Sequence, residues 1–140
     1  AIVMCDIDNF KKINDTYGHL TGDKVLKTIA KILRDNVRTT DIVGRFGGEE
    51  FIMAFPSTDS EEVVLILERL RRLIKDVQEF PFKLTLSFGV VSYPQDTENI
   101  IIKAPEDLIR LADTALYHAK NTGKDKIVVY SEGMTGGLHA

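Results

Sequence analysis

Asp6-Ile7-Asp8 closes a short apolar opening segment, and its spacing is the first sign of chemistry. Successive side chains of a strand alternate, so both carboxylates point to one face and Ile7 to the other. Carboxylate oxygens at a strand end suit a hard divalent cation such as Mg²⁺. A helix pattern begins at once, around Asn9, Phe10 and Lys11, and free N–H groups at a helix start can receive a phosphate. An acidic turn that only caps that helix has the same spelling. The second cluster is Gly47-Gly48-Glu49-Glu50-Phe51. Paired glycines permit positive φ and close approach of a ligand. Adjacent glutamates repel unless something positive lies near, and a metal ion would relieve that. A plain Gly-Gly turn with solvated glutamates is the alternative. The third cluster is Lys120 with Lys124, which on a helix would share one face. They suit a triphosphate, and equally a helix C-terminus that favours cations.

The elements that must position these residues can be read from apolar spacing. Residues 1–7 read as a buried strand and 9–17 as a short helix closed by Gly18. Thr21 is a candidate cap for a second helix whose stripe includes Val25, Leu26, Ile29, Leu33 and Val37. Residues 42–46 and 51–55 read as a hairpin around the glycine pair, stopped by Pro56. Thr58 with Glu61 spells a capping box for a third helix. Residues 84–91 read as a strand and 92–104 as a loop. Pro105 then opens a helix that ends near Gly123, and 127–130 form a last strand. The order β-α-α-β-β-α-β-α-β fits an α+β fold. A split βαβ sheet of mixed, mainly antiparallel strands fits best, ferredoxin-like and palm-type, flanked by helices that all lie on one face. Adjacent central strands of such a sheet bring the two acidic clusters together, the arrangement of metal-assisted nucleotidyl transfer.

The chain has 140 residues, enough for one domain with a real core. With 18 basic and 21 acidic residues it carries a net charge of −3, which weighs against nucleic acid and leaves small nucleotides open. No apolar run approaches the length of a membrane span, so membrane contact is not expected. One cysteine, Cys5, cannot form an internal disulfide, and a cytoplasmic location is the simplest expectation. Residues 131–140 hold three glycines and are expected to fray.

Taken together, these segments resemble the GGDEF domain of bacterial diguanylate cyclases. Asp6-Ile7-Asp8-Asn9-Phe10-Lys11 resembles the family's D-x-D-x-F-K. Asn14-Asp15-Thr16-Tyr17-Gly18-His19 with Gly22-Asp23 resembles N-D-x-x-G-H-x-x-G-D. Gly47-Gly48-Glu49-Glu50-Phe51 is an accepted form of the naming signature. Ser87-Phe88-Gly89-Val90 resembles S-x-G-V, and Ala112-Asp113 through Gly123 resembles A-D-x-A-L-Y-x-A-K-x-x-G. The likeness runs from residue 1 to about 130, and several motifs in order are far more specific than any one.

The resemblance implies an enzyme that condenses two GTP into cyclic di-GMP, each protomer of a homodimer holding one GTP. It implies that Asp6, the carbonyl of Ile7 and Glu49 hold Mg²⁺ (or Mn²⁺), with Glu50 beside them and Glu49 as base. Asn14 and Asp23 would read the guanine edge, with His19 near the pocket. Backbone amides at Asn9, Phe10 and Lys11, with Lys120 and Lys124, would hold the phosphates. Arg38 and Asp41 fall where the family's R-x-x-D product-inhibition site lies, Asp41 being six residues before Gly47, with Arg69 as a third contact. The family's domains usually begin earlier, with a helix and a D-x-L-T-x-L-x-N-R segment, and are usually joined to a sensory or dimerising domain. A chain starting at the first strand is therefore expected to be less stable or less active. Lys124-Asp125 stands where Arg-Asn is usual. A non-catalytic cyclic di-GMP receptor, a GTP-binding signalling module and another palm-like enzyme are the alternative readings.

Overall fold

The computed structural model describes residues 1–135. Five strands form one sheet: β1 (Ile2–Ile7), β2 (Ile42–Arg45), β3 (Glu50–Ala54), β4 (Leu86–Val91) and β5 (Ile127–Val129). Their spatial order is β2-β3-β1-β4-β5. β1 lies antiparallel to both β3 and β4, and β5 joins β4 in parallel. The helices are α1 (Phe10–Tyr17), α2 (His19–Asp35), α3 (Ser60–Lys75) and α4 (Pro105–Asn121). This is the expected α+β order, with a short 3₁₀ turn, Gln95–Thr97, inside the expected loop.

The helices do not share one face. Val3, Cys5 and Ile7 of β1 and Leu86, Phe88 and Val90 of β4 pack with the apolar stripes of α1, α2 and α3. Met4 and Val91, on the opposite face, pack with Leu111, Ala112, Ala115 and Leu116 of α4. The reason lies in β1 and β4, which are apolar on both sides. A strand covered on both faces reads as a continuous apolar run. α4 sits close because Ala112 and Ala115 are small and because Gly89 opposes it. A Cβ at Gly89 would stand 2.1 Å from the carbonyl oxygen of Ala112 and 2.2 Å from the nitrogen of Leu116.

Three local expectations change. α2 begins at His19, directly after Gly18 (φ 91°), so Thr21 lies inside the helix and does not cap it. α3 is capped by Asp59, which accepts from the Glu62 amide at 2.9 Å. Thr58 Oγ1 is occupied elsewhere: it accepts from Arg38 Nη2 at 2.6 Å and donates to the Pro56 carbonyl. α4 ends at Asn121, so Lys124 lies beyond it and shares no helix face with Lys120. Pro105 does open α4, and Asp107 accepts there from the amides of Lys103 and Ala104. Of the segment expected to fray, Glu132 accepts two bonds from Asn99 and Met134 packs near α4, while residues 136–140 lie outside the described residues.

Candidate active site

The site forms where β1 and β3 end side by side. Asp6 faces Glu50 in register, and the Ile7 amide donates to the Glu49 carbonyl at 3.3 Å. That bond brings the hairpin tip onto the end of β1. The carboxyl groups of Asp6 and Glu49 lie within hydrogen-bonding reach of one another. Burial raises Asp6 above the usual carboxylate range, against the pull of Lys120. Burial, the charge of Asp6 and the bond to it push Glu49 up to about 7. Two buried carboxyl groups forced together behave in this way where burial and mutual repulsion outweigh one nearby lysine.

Lys120 reaches this point because α4 lies so close to the sheet. Its Nζ stands 2.8 Å from Asp8 Oδ1 and 3.5 Å from Asp6 Oδ1. Asp8 is saturated: Thr85 Oγ1, Ser87 Oγ and the Asp125 amide also donate to its carboxylate. Asp8 is therefore a structural hub. Asp6 differs from it. Its Oδ1 is buried and accepts no hydrogen bond.

A buried, unbonded carboxylate oxygen beside a second carboxyl group fits a divalent cation. Among the described residues no three Asp, Glu, His or Cys side chains converge as a ready-made cage. That also fits Mg²⁺, which usually takes one or two carboxylates and completes its shell with waters and substrate phosphates.

Neither Gly47 nor Gly48 uses the left-handed region the sequence allowed for, since their φ angles are not positive. Their small size matters instead. A Cβ at Gly48 would meet nothing within 4 Å, so this backbone is open to approach. Arg45 holds the loop by donating to the carbonyls of Gly47 (3.2 Å) and Gly48 (2.6 Å).

α1 starts immediately after Asp8. Asn9 takes a left-handed φ of 58°, which turns the chain from strand into helix. The first amides of α1 then have no partner within the helix. Phe10 anchors this turn in the core, while Lys11 is exposed. Lys124 Nζ donates to Asn9 Oδ1 at 2.8 Å, so this lysine reaches the helix start although it is not on α4. One turn further, Asn14 Oδ1 is buried without a hydrogen-bond partner. It sits over Gly22, where a Cβ would overlap it at 1.9 Å. Asp23 and His19 are exposed on the first turns of α2.

The family model described as "Diguanylate cyclase, GGDEF domain" matches residues 1–126. The chain belongs to the GGDEF family. It is 42% identical over 135 residues to probable diguanylate cyclase DgcT of Escherichia coli, covering 92% of this chain and 29% of that protein. It is also 42% identical over 132 residues to diguanylate cyclase DgcP of Pseudomonas aeruginosa, covering 91% of this chain and 19% of that protein. The chain thus spans less than a third of these relatives. Its fold matches the active GGEEF domain of a diguanylate cyclase from Vibrio cholerae, with TM-score 0.83 and 32% identity over 94% of this chain and 83% of that one. It also matches the GGDEF domain of DgcB from Caulobacter crescentus, a structure in complex with c-di-GMP, with TM-score 0.81 and 29% identity over 91% of this chain and 75% of that one.

Within this GGDEF domain a second group lies away from the carboxylates. Arg38, Asp41 and Arg69 line one groove of about 550 Å³, with Asn36 and the exposed Leu65 beside them. Asp41 accepts from the Arg38 amide at 2.8 Å and pairs with its guanidinium at 2.9 Å. Arg69 Nη2 donates to Asn36 Oδ1 at 3.2 Å. Thr85, Ser87 and Asp125, which complete the Asp8 hub, were not singled out as site residues. The readable signal was the polar pair Thr85 and Ser87 in an otherwise apolar strand.

Proposed function

We propose that this domain condenses two GTP molecules into cyclic di-GMP, working as a homodimer in which each protomer holds one GTP. The observation that carries the reading is the convergence of Asp6, Glu49 and Lys120 at the ends of β1 and β3, next to the start of α1. Mg²⁺, or Mn²⁺ in its place, would be held by Asp6, the Ile7 carbonyl and Glu49, with Glu50 alongside, and would supply charge neutralisation at the reacting phosphate. The amides at Asn9, Phe10 and Lys11 bind the phosphate chain, and Lys120 and Lys124 offset its charge. Asn14 Oδ1 accepts from the guanine edge together with Asp23, and His19 borders that pocket. The 3′-oxygen of one GTP attacks the α-phosphorus of the other. The bond to the bridging oxygen breaks, pyrophosphate leaves, and Glu49 takes the hydroxyl proton.

The test is an endpoint assay with GTP and Mg²⁺ on the chain fused to a dimerising coiled coil, with products separated by chromatography. Cyclic di-GMP is expected from the wild-type sequence and none from Glu49→Gln. A Glu49→Gln variant with full turnover removes Glu49 from the mechanism. No product from a folded, dimeric wild-type fusion favours a receptor or GTP-binding signalling role. The same variant has a stability signature. Glu49 is raised in the folded chain relative to the unfolded one, so it weakens the fold progressively as pH rises through about 7. Metal-free Glu49→Gln is therefore expected to melt a few degrees above wild type at pH 8, about 2–4 °C, and level with it at pH 5.

The Arg38, Asp41 and Arg69 groove supports binding of cyclic di-GMP as an inhibitor. An arginine fork offers bidentate bonds to a phosphate or a guanine edge. Arg38→Ala is expected to weaken cyclic di-GMP at least about tenfold by calorimetry, as loss of one bidentate contact would. Unchanged affinity in this variant places the product elsewhere. An upstream sensory or dimerising domain would set the dimer that the reaction needs. No helix of the described residues is long and apolar enough to cross a membrane.

A further inference from the structure

Arg71 and Lys75 lie one turn apart on α3, a helix that contributes none of the site residues described around the carboxylates. Both end on Asp125. Arg71 Nη1 stands 2.8 Å from Asp125 Oδ1, and Lys75 Nζ stands 2.7 Å from Oδ2. The Arg71 and Asp125 side chains are mostly buried, at 18% and 22% exposure, and Arg71 is also held by Glu68. Burial works to raise the Asp125 carboxyl, and the bonds from Lys75 and Arg71 outweigh it, so the group lies below its usual range.

The backbone at this point is unusual. Lys124 and Asp125 both take left-handed φ angles, 60° and 48°. Consecutive non-glycine residues in that region carry a conformational cost, and the turn persists only where its surroundings hold it. The Asp125 amide donates to Asp8 Oδ2 at 3.0 Å and to Ser87 Oγ at 3.1 Å. Lys124 Nζ reaches Asn9, and Lys120 Nζ reaches the other oxygen of Asp8. The turn therefore sets the placement of both lysines at the phosphate end of the site.

We infer that Arg71 and Lys75 are positioning residues for triphosphate binding. Through the Asp125 carboxylate they hold the 124–125 turn, and so fix where Lys124 and, through Asp8, Lys120 meet the phosphates. This rests on the nucleotide-binding reading above.

The test compares two ligands on the full chain: a non-hydrolysable GTP analogue with Mg²⁺, titrated by calorimetry, and guanosine, titrated by NMR. Arg71→Ala is expected to weaken the analogue about tenfold, as loss of a supporting outer contact does, and to leave guanosine unchanged. Arg71→Lys should recover most of the loss because it keeps a cation at Asp125. Lys75→Met, whose side chain is more exposed than that of Arg71, should weaken the analogue less than Arg71→Ala does and keeps the test open should Arg71→Ala not fold. Equal binding of the analogue by wild type, Arg71→Ala and Lys75→Met overturns the inference alone. Equal weakening of analogue and guanosine also overturns it, since that marks a general loss of structure. A wild-type chain that binds neither ligand overturns the nucleotide reading together with this one.

Discussion

Lys120→Met is expected to melt about 10 °C below wild type at pH 7, corresponding to a loss of roughly 3 kcal/mol. Lys120 is 13% exposed, and its partner Asp8 is 1% exposed. Removing the lysine leaves Asp8 with three neutral donors and no charge partner, and leaves Asp6 and Glu49 facing each other with no cation nearby. Breaking a buried pair on one side is costly because the remaining charge stays desolvated. The sign with pH follows from the same cause. Burial already raises the Asp6 carboxyl in the folded chain, and loss of the opposing pull of Lys120 raises it further above its unfolded value. Stability of the variant should therefore recover as pH falls into the carboxylate range. An Asp8→Asn, Lys120→Met double variant should lose less than the sum of the two single changes. Thermal melts of the four proteins decide the matter. A single variant melting within about 2 °C of wild type would show that the pair carries little energy.

Gly89→Ala is expected to be at least as damaging. Its new Cβ would overlap the Ala112 carbonyl and the Leu116 nitrogen, both backbone atoms of α4. Neither can rotate away, so the helix must lift from the sheet. Overpacking of this kind costs about 1–3 kcal/mol, and more where the obstacle is rigid. The expected result is a melting point lowered by about 10 °C, or a chain that does not fold. Any folded fraction should also bind GTP poorly, because α4 carries Lys120. Gly48→Ala is the control. Its Cβ meets nothing, so melting should be unchanged while ligand approach at the hairpin is narrowed. Gly89→Ala melting with wild type would show that α4 can slide at little cost.

Much of the site was legible because it is carried by local spelling. Asp6, Glu49, Asn14 and Lys120 are short-range signals within recognisable motifs, and each lies at the end or start of an element that apolar spacing defines. Asp6 and Glu49 were expected to meet, and they do, because β1 and β3 pair in register at Glu50. The second helical layer was less legible. A strand buried on both faces shows no alternation, so its pattern does not state how many layers cover it. The caps of α2 and α3 slipped by one to three residues because Thr58 is engaged by Arg38, and because Gly18 alone breaks the chain between α1 and α2.

The sequence by itself determined the family and the order of elements, and it marked the carboxylates, lysines and asparagine of the candidate site. Those are properties of residue type and spacing, which need no third dimension. Only the tertiary structure decided how the two aspartates divide their roles. Asp8 meets Thr85, Ser87, Lys120 and the Asp125 amide, and these come from segments distant in the chain. Asp6 keeps a buried oxygen without a hydrogen bond. A carboxylate's function depends on which donors already occupy it, and that is set by long-range packing. The same packing joined α3 to the turn after α4 through Arg71, Lys75 and Asp125.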